Sequence, residues 1–157
     1  MKTVKIFALL LSLCFASLGV AHAQTADQNR AALLKAYAAI NSHDVNAFGT
    51  LLADNFVEYA APEPVHGKQP SLESMNDYLK AFPDLTIKVE KIIADGTTAM
   101  AYVTVTGTWK GEFMNMPPTE KSFKIMDVDI VEFDRNGKAT SHKSVQDPMV
   151  MMSQISN

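Results

Sequence analysis

Beyond residue 14 the chain contains no cysteine. Disulfides are therefore excluded as its staple, and a folded unit has to be held together by its apolar core. Metal-binding patterns are missing too. His43, His66 and His142 are scattered, with neither H-x-H nor H-E-x-x-H spacing, so no metal site is expected. There is no G-x-S-x-G, no P-loop, no dinucleotide-binding glycine fingerprint and no catalytic cysteine, which removes support for hydrolase and nucleotide-dependent chemistry. Basic runs are also absent: 14 Lys and Arg face 17 Asp and Glu, for a net charge of −3. Nucleic acid is not an expected partner. Without internal repeats, low-complexity tracts or linkers, the chain reads as one domain.

What is present begins with a long apolar run. In "MKTVKIFALLLSLCFASLGVAHAQ", Lys2 and Lys5 precede an apolar stretch from Ile6 to Val20, followed by Ala21-His22-Ala23. This is the pattern of a secretory signal peptide with an A-x-A cleavage site. The stretch is short of the roughly 20 residues that span a bilayer. Cys14 follows Leu13, where a lipoprotein signal would place a small residue. The expected organisation is a cleaved leader over residues 1–23 and a single domain over residues 24–157. The expected location is periplasmic or secreted, with no membrane attachment once the leader is removed.

The period of the apolar residues then changes along the chain. Thr25-x-x-Gln28 offers a capping box for a helix on which Leu33, Tyr37 and Ile40 recur at helical spacing. Val45, Phe48, Leu51 and Leu52 mark a short second helix. "NFVEYA" reads as a brief strand, and a loop through Pro62, Pro64 and Gly67 leads to a third helix capped by Ser71 and ended by Phe82-Pro83-Asp84. From Leu85 the period is two, through three long strands broken at Asp95-Gly96 and at Asp134–Gly137, with "KATSHKSVQD" and a short terminal helix after them. Helices first and antiparallel strands later indicate an α+β fold. Three helices packed on one face of a curled sheet would enclose a cavity.

Several stretches together resemble the SnoaL-like polyketide cyclase family: "AFPDL" (residues 81–85), "GTWKGEFMNMPPTEK" (107–121), "DIVEF" (129–133) and Asp147 ten residues after Gly137. "NSHDVNAFGTLLADNFVEY" and the glycine of "VHG" extend the similarity over essentially the whole chain after the leader. The resemblance implies a cone-shaped curved antiparallel sheet wrapped around N-terminal helices, the cystatin-like α+β barrel shared with nuclear transport factor 2 and ketosteroid isomerase. It also implies intramolecular aldol chemistry, or an isomerisation of that type, on a small hydrophobic carbonyl compound. No metal or organic cofactor is expected. The general acid/base it implies is an aspartate on the last strand, here Asp147. A homodimer through the open sheet face is the expected assembly. A non-catalytic ligand-binding protein and a protein-interaction module of the same fold are the alternatives.

Carbon-acid chemistry needs a base near the carbon and donors for an enolate. Asp147 would serve if it faces inward with Val145, and it would instead cap the terminal helix if it stands just ahead of Pro148. Lys143 occupies a position where the resembled family usually carries a large aromatic. A cation there would favour the ionised carboxylate. Asp127 and Asp129 alternate with Phe123, Ile125, Val131 and Phe133, so one strand face carries two acids among apolar residues; a cavity wall and a solvated face are both open readings. Tyr37, Tyr59, His66, Trp109, Phe113, Met116, Asp129 and Lys143 are the candidate ligand-binding residues. Ketosteroid isomerase chemistry would want an Asp-Pro pair where the chain has Glu58 and Tyr59. The loop "GEFMNMPPTEK" is unusually apolar and extended by Pro117-Pro118, consistent with an adaptable rim at a cavity mouth.

Overall fold

A computed structural model describes residues 25–59 and 63–156. The leader expected at the N-terminus lies outside the described residues.

Helix α1 (Ala26–Asn41) starts at the capping box read from sequence: the Thr25 side chain accepts from the Gln28 amide and Gln28 returns to the Thr25 amide. Its buried face carries Leu33, Tyr37 and Ile40. Asn41 ties the helix end to the sheet by bonding both the N–H and the C=O of Ile87. His43 then turns with φ of 57°, and Asp44 caps the short α2 (Val45–Gly49) by accepting from Ala47 N. Strand β1 (Leu52–Glu58) begins earlier than "NFVEYA" suggested, so Leu52 belongs to a strand and not to the second helix. A two-residue strand, β2 (Val65–His66), pairs with β1 in the segment read as loop.

Helix α3 (Lys68–Ala81) starts ahead of the position assigned from Ser71. Gly67 is its N-cap, with φ of 96°, and the Ser71 hydroxyl sits within the helix and donates to the Gly67 carbonyl. A serine one turn into a helix can bond back in this way and so imitates a cap signal.

Strands β3 (Thr86–Asp95), β4 (Thr98–Thr108), β5 (Ser122–Phe133) and β6 (Ala139–Ser144) pair antiparallel in sequence order, and β6 then pairs β1 in parallel. The sheet order is β2-β1-β6-β5-β4-β3. Alternation sorts β4 cleanly: Ala99, Ala101 and Val103 are fully buried, while Met100 and Tyr102 are exposed on the other face. Those small inward residues let α1 lie close on β3 and β4. A bulge between Val89 and Lys91 adds local twist on β3. Helix α4 (Pro148–Ile155) returns against β5 and closes the chain.

The connection from β4 to β5 is pinned from below. Lys110 and Gly111 both donate to the Ala81 carbonyl, and a Cβ at Gly111 would fall 2.5 Å from the Lys80 carbonyl oxygen. Only glycine fits that approach. The Trp109 indole donates to Gly111 O at 2.6 Å. Phe113 and Met116 pair across a two-residue turn in which Met114 and Asn115 both have positive φ, as type I′ hairpins do. Asparagine suits that conformation; methionine there costs roughly 1 kcal/mol or more.

Candidate active site

Helices α1 and α3, the concave sheet face, the β4–β5 loop and α4 surround a cavity of about 730 Å³. Most of its wall is apolar. Phe48, Phe56, Ile125, Val131 and Phe133 form its interior, and Phe113, Met75, Met114, Met149 and Met152 stand around it. Exposure of Met114, Met149 and Tyr59 marks the side open to solvent.

Polar groups gather where three strands meet. The two-residue period of β5 puts Asp127 and Asp129 inward with Ile125 and Val131. On β6, His142 pairs across from Val131, and Ser144 from Asp129. The parallel β1–β6 pair sets Glu58 beside His142. The resulting chain of contacts is continuous. Glu58 lies 2.8 and 2.9 Å from His142 Nδ1, His142 Nε2 lies 3.1 Å from Asp129 Oδ1, and Tyr37 OH donates to Asp129 Oδ2 at 2.6 Å. Asp127 is held separately, accepting from the amides of Val128 and Gln146 at 2.6 and 3.0 Å and from the Ser144 hydroxyl.

Burial alone would lower the pKa of His142. Hydrogen bonds and charge from Asp129 and Glu58 outweigh it and raise the value to about 10. The ring is therefore an imidazolium at neutral pH, donating from both nitrogens. Burial, reinforced by the Asp129 charge and hydrogen bond, pushes the Tyr37 phenol far above its ordinary range, so it stays a neutral donor. Tyr78 is pushed up in the same way, with a contribution from Asp127. Gln146 adds a buried amide nitrogen with no hydrogen-bond partner among the described residues.

Of the residues singled out from sequence, Tyr37, Tyr59, Phe113 and Asp129 line the cavity. His66 lies exposed on β2, Trp109 is 2% exposed within the core, and Met116 faces outward from the loop; none of the three is part of the wall. Lys143 is exposed, its ammonium 5.1 Å from the Tyr59 ring centroid, and does not pair with Asp147. Of the two readings open for Asp147, the cap is observed and the inward catalytic position is corrected. β6 ends at Ser144, Val145 is 63% exposed, and Asp147 is the exposed N-cap of α4, accepting from Met149 N at 2.9 Å. With His142, Ser144 and Gln146 on the cavity side, the two-residue period puts Lys143, Val145 and Asp147 on the other face. The sequence places Asp127 on the same strand face as Asp129, but does not group Glu58, His142 and Ser144 with these acids as a site. Only the alternating acids on β5 could have signalled it, since the pairing of β1 with β6 has no local sequence signature.

A curved six-stranded sheet with helices around an apolar cavity, carrying carboxylates and an imidazolium on its inner wall, is an α+β fold of the cystatin-like type. The model of the SnoaL-like polyketide cyclase family matches residues 31–155, and the chain belongs to that family. No curated protein matches it. Among solved structures it is similar to AclR, a candidate hydroxylase from Streptomyces galilaeus, at 29% identity and a TM-score of 0.70, covering 82% of this chain and 94% of that one. It is also similar to a candidate SnoaL-like polyketide cyclase from Jannaschia sp. CCS1 (19% identity, TM-score 0.77, 86% and 96% covered). A third is IdmH, a candidate polyketide cyclase from Streptomyces antibioticus (24%, 0.68, 81% and 97%). The last two show the shared fold.

Proposed function

We propose that the protein binds a small hydrophobic carbonyl compound in this cavity and carries out cofactor-independent acid/base chemistry of the aldol cyclase or isomerase type on it. The observation that carries this reading is the Glu58–His142–Asp129–Tyr37 chain, set in a wall that is otherwise apolar. Carbon acids need a carboxylate shielded from bulk water and donors near the nascent oxyanion. Asp129 is the proton acceptor in this scheme. Tyr37 and His142 donate to its two oxygens and hold the carboxylate in place. The Gln146 amide is a donor for the ligand's carbonyl oxygen. Asp147, engaged in capping α4, is assigned to the fold.

Deuterium exchange at the α-carbon of 2-tetralone, followed by NMR, tests the chemistry without knowledge of the natural substrate. The wild-type protein is expected to accelerate exchange over buffer. Asp129→Asn should slow it at least ~100-fold, within the range general-base removal usually shows, and Asp147→Asn should leave it unchanged. If 2-tetralone binds by calorimetry but exchanges no faster than in buffer, the acid/base part fails. The alternative, a non-catalytic binding protein of the same fold, would then stand. That alternative is favoured by one observation: both oxygens of Asp129 are already occupied by His142 and Tyr37.

We further propose a homodimer through the convex sheet face, where Ile93, Met100, Tyr102 and Met126 are all exposed and apolar. Sedimentation at micromolar concentration should give a dimer. A monomer there removes this assembly.

A further inference from the structure

The cavity has a charge imbalance that its apolar character conceals. Three carboxylates stand on its wall, those of Glu58, Asp127 and Asp129. Among the described residues that line it, none is lysine or arginine, and His142 is the one cation. Glu58 and Asp129 share that single imidazolium. Asp127 has no ion-pair partner among the described residues. It is satisfied by backbone amides and the Ser144 hydroxyl, which supply dipoles and no compensating charge. Lys143, the cation on the neighbouring strand position, is exposed and lies over the Tyr59 ring outside the wall.

Asp127 therefore faces a largely apolar space with no cation paired to it among the described residues, beside the Glu58–His142–Asp129 group. Charges interact far more strongly there than in bulk water, because the surrounding protein screens poorly. An anion entering would lose its hydration and meet like charge. A neutral molecule would meet donors and acceptors only. A cation would recover in attraction what it loses in hydration, and the aromatic side chains of Tyr37, Tyr78 and Phe113 in the wall add to that attraction.

We infer that the cavity selects its ligand by charge: it takes neutral apolar molecules, accepts a protonated amine of the same shape, and rejects carboxylate-bearing amphiphiles such as fatty or aromatic acids. This rests on the binding reading above and deepens it by naming the class of molecule. It does not depend on catalysis.

Isothermal titration at pH 7 with three naphthalenes of matched shape separates the cases: the neutral ketone 2-acetylnaphthalene, 2-naphthoate, and 2-naphthylmethylammonium. On the wild-type protein, 2-naphthoate is expected to bind at least tenfold more weakly than the ketone, or about 1.4 kcal/mol. The ammonium should bind at least as tightly as the ketone. Asp127→Asn should narrow the gap between acid and ketone, and Glu58→Gln provides the same readout if the first variant does not fold. A 2-naphthoate affinity within threefold of the ketone overturns the charge rule while leaving ligand binding in place. A gap that neither variant changes also overturns it, since these carboxylates would not be its origin. Failure of all three compounds to bind removes the binding reading and this inference together.

Discussion

Replacing His142 with alanine is expected to cost about 3 kcal/mol of folding stability, measured by urea unfolding at pH 7. The substitution leaves Glu58 and Asp129 facing one another without the imidazolium between them, and Asp129 is only 8% exposed. Removing one partner of a buried charge pair generally costs about 3–5 kcal/mol, because the remaining charge is stranded. The lower end applies here, since 23% of the His142 side-chain surface stays open and cavity water can enter. A loss below about 1 kcal/mol would show that the carboxylates do not depend on the ring.

The same pair makes a pH prediction with a definite sign. The folded-state pKa is raised to about 10, above the ordinary histidine value of 6.5. The contribution is therefore present in full below pH 6.5 and is lost as pH climbs from 6.5 to 10. Wild-type stability should fall across that window by an amount comparable to the mutational loss. His142→Ala should lack that part of the decline. Parallel profiles for the two proteins would contradict the assignment.

Phe82→Ala is expected to cost about 3–5 kcal/mol, the usual range for removing a fully buried phenylalanine. Phe82 is 0% exposed. It sits at the centre of an aromatic cluster, with ring centroids 4.9 Å from Tyr78, 5.2 Å from Phe113 and 5.3 Å from Phe123. Those contacts join the end of α3, the β4–β5 loop and β5, so little around the site can collapse into the void. Phe113 lines the cavity and rests on Phe82, so affinity for 2-acetylnaphthalene should drop along with stability. Phe82→Leu, which retains most of the volume, should recover the larger part of both. Urea unfolding that shows less than about 1.5 kcal/mol lost in Phe82→Ala would mean that the cluster repacks freely.

The fold was legible because its signals are local. A capping box at Thr25 and Gln28, helical spacing of Leu33, Tyr37 and Ile40, and strict alternation on β4 each act within a few residues. The site was legible only where it obeyed the same locality. Asp129 followed from alternation among Phe123, Ile125, Val131 and Phe133, and Tyr37 from its place on the inner stripe of α1. His142 and Glu58 acquire their meaning from a parallel pairing between residues 84 positions apart, which no local pattern encodes. The inward reading of Asp147 failed for a related reason: it needs Val145 and Asp147 on the cavity side of β6, whereas pairing with Val131 and Asp129 turns His142 and Ser144 inward, a register that β6 does not encode by itself.

The two-residue turn at Met114-Asn115 divides the molecule's duties. The charged end of the cavity is built from β1, β5 and β6, each fixed by pairing along its length. Its rim is carried by one short hairpin, anchored to Ala81 through Lys110 and Gly111, together with α4. Selection can redraw the rim by exchanging a handful of residues and leave the acids undisturbed. A lineage of such proteins would then diverge first in the shape of the molecule admitted, and only later in what is done to it.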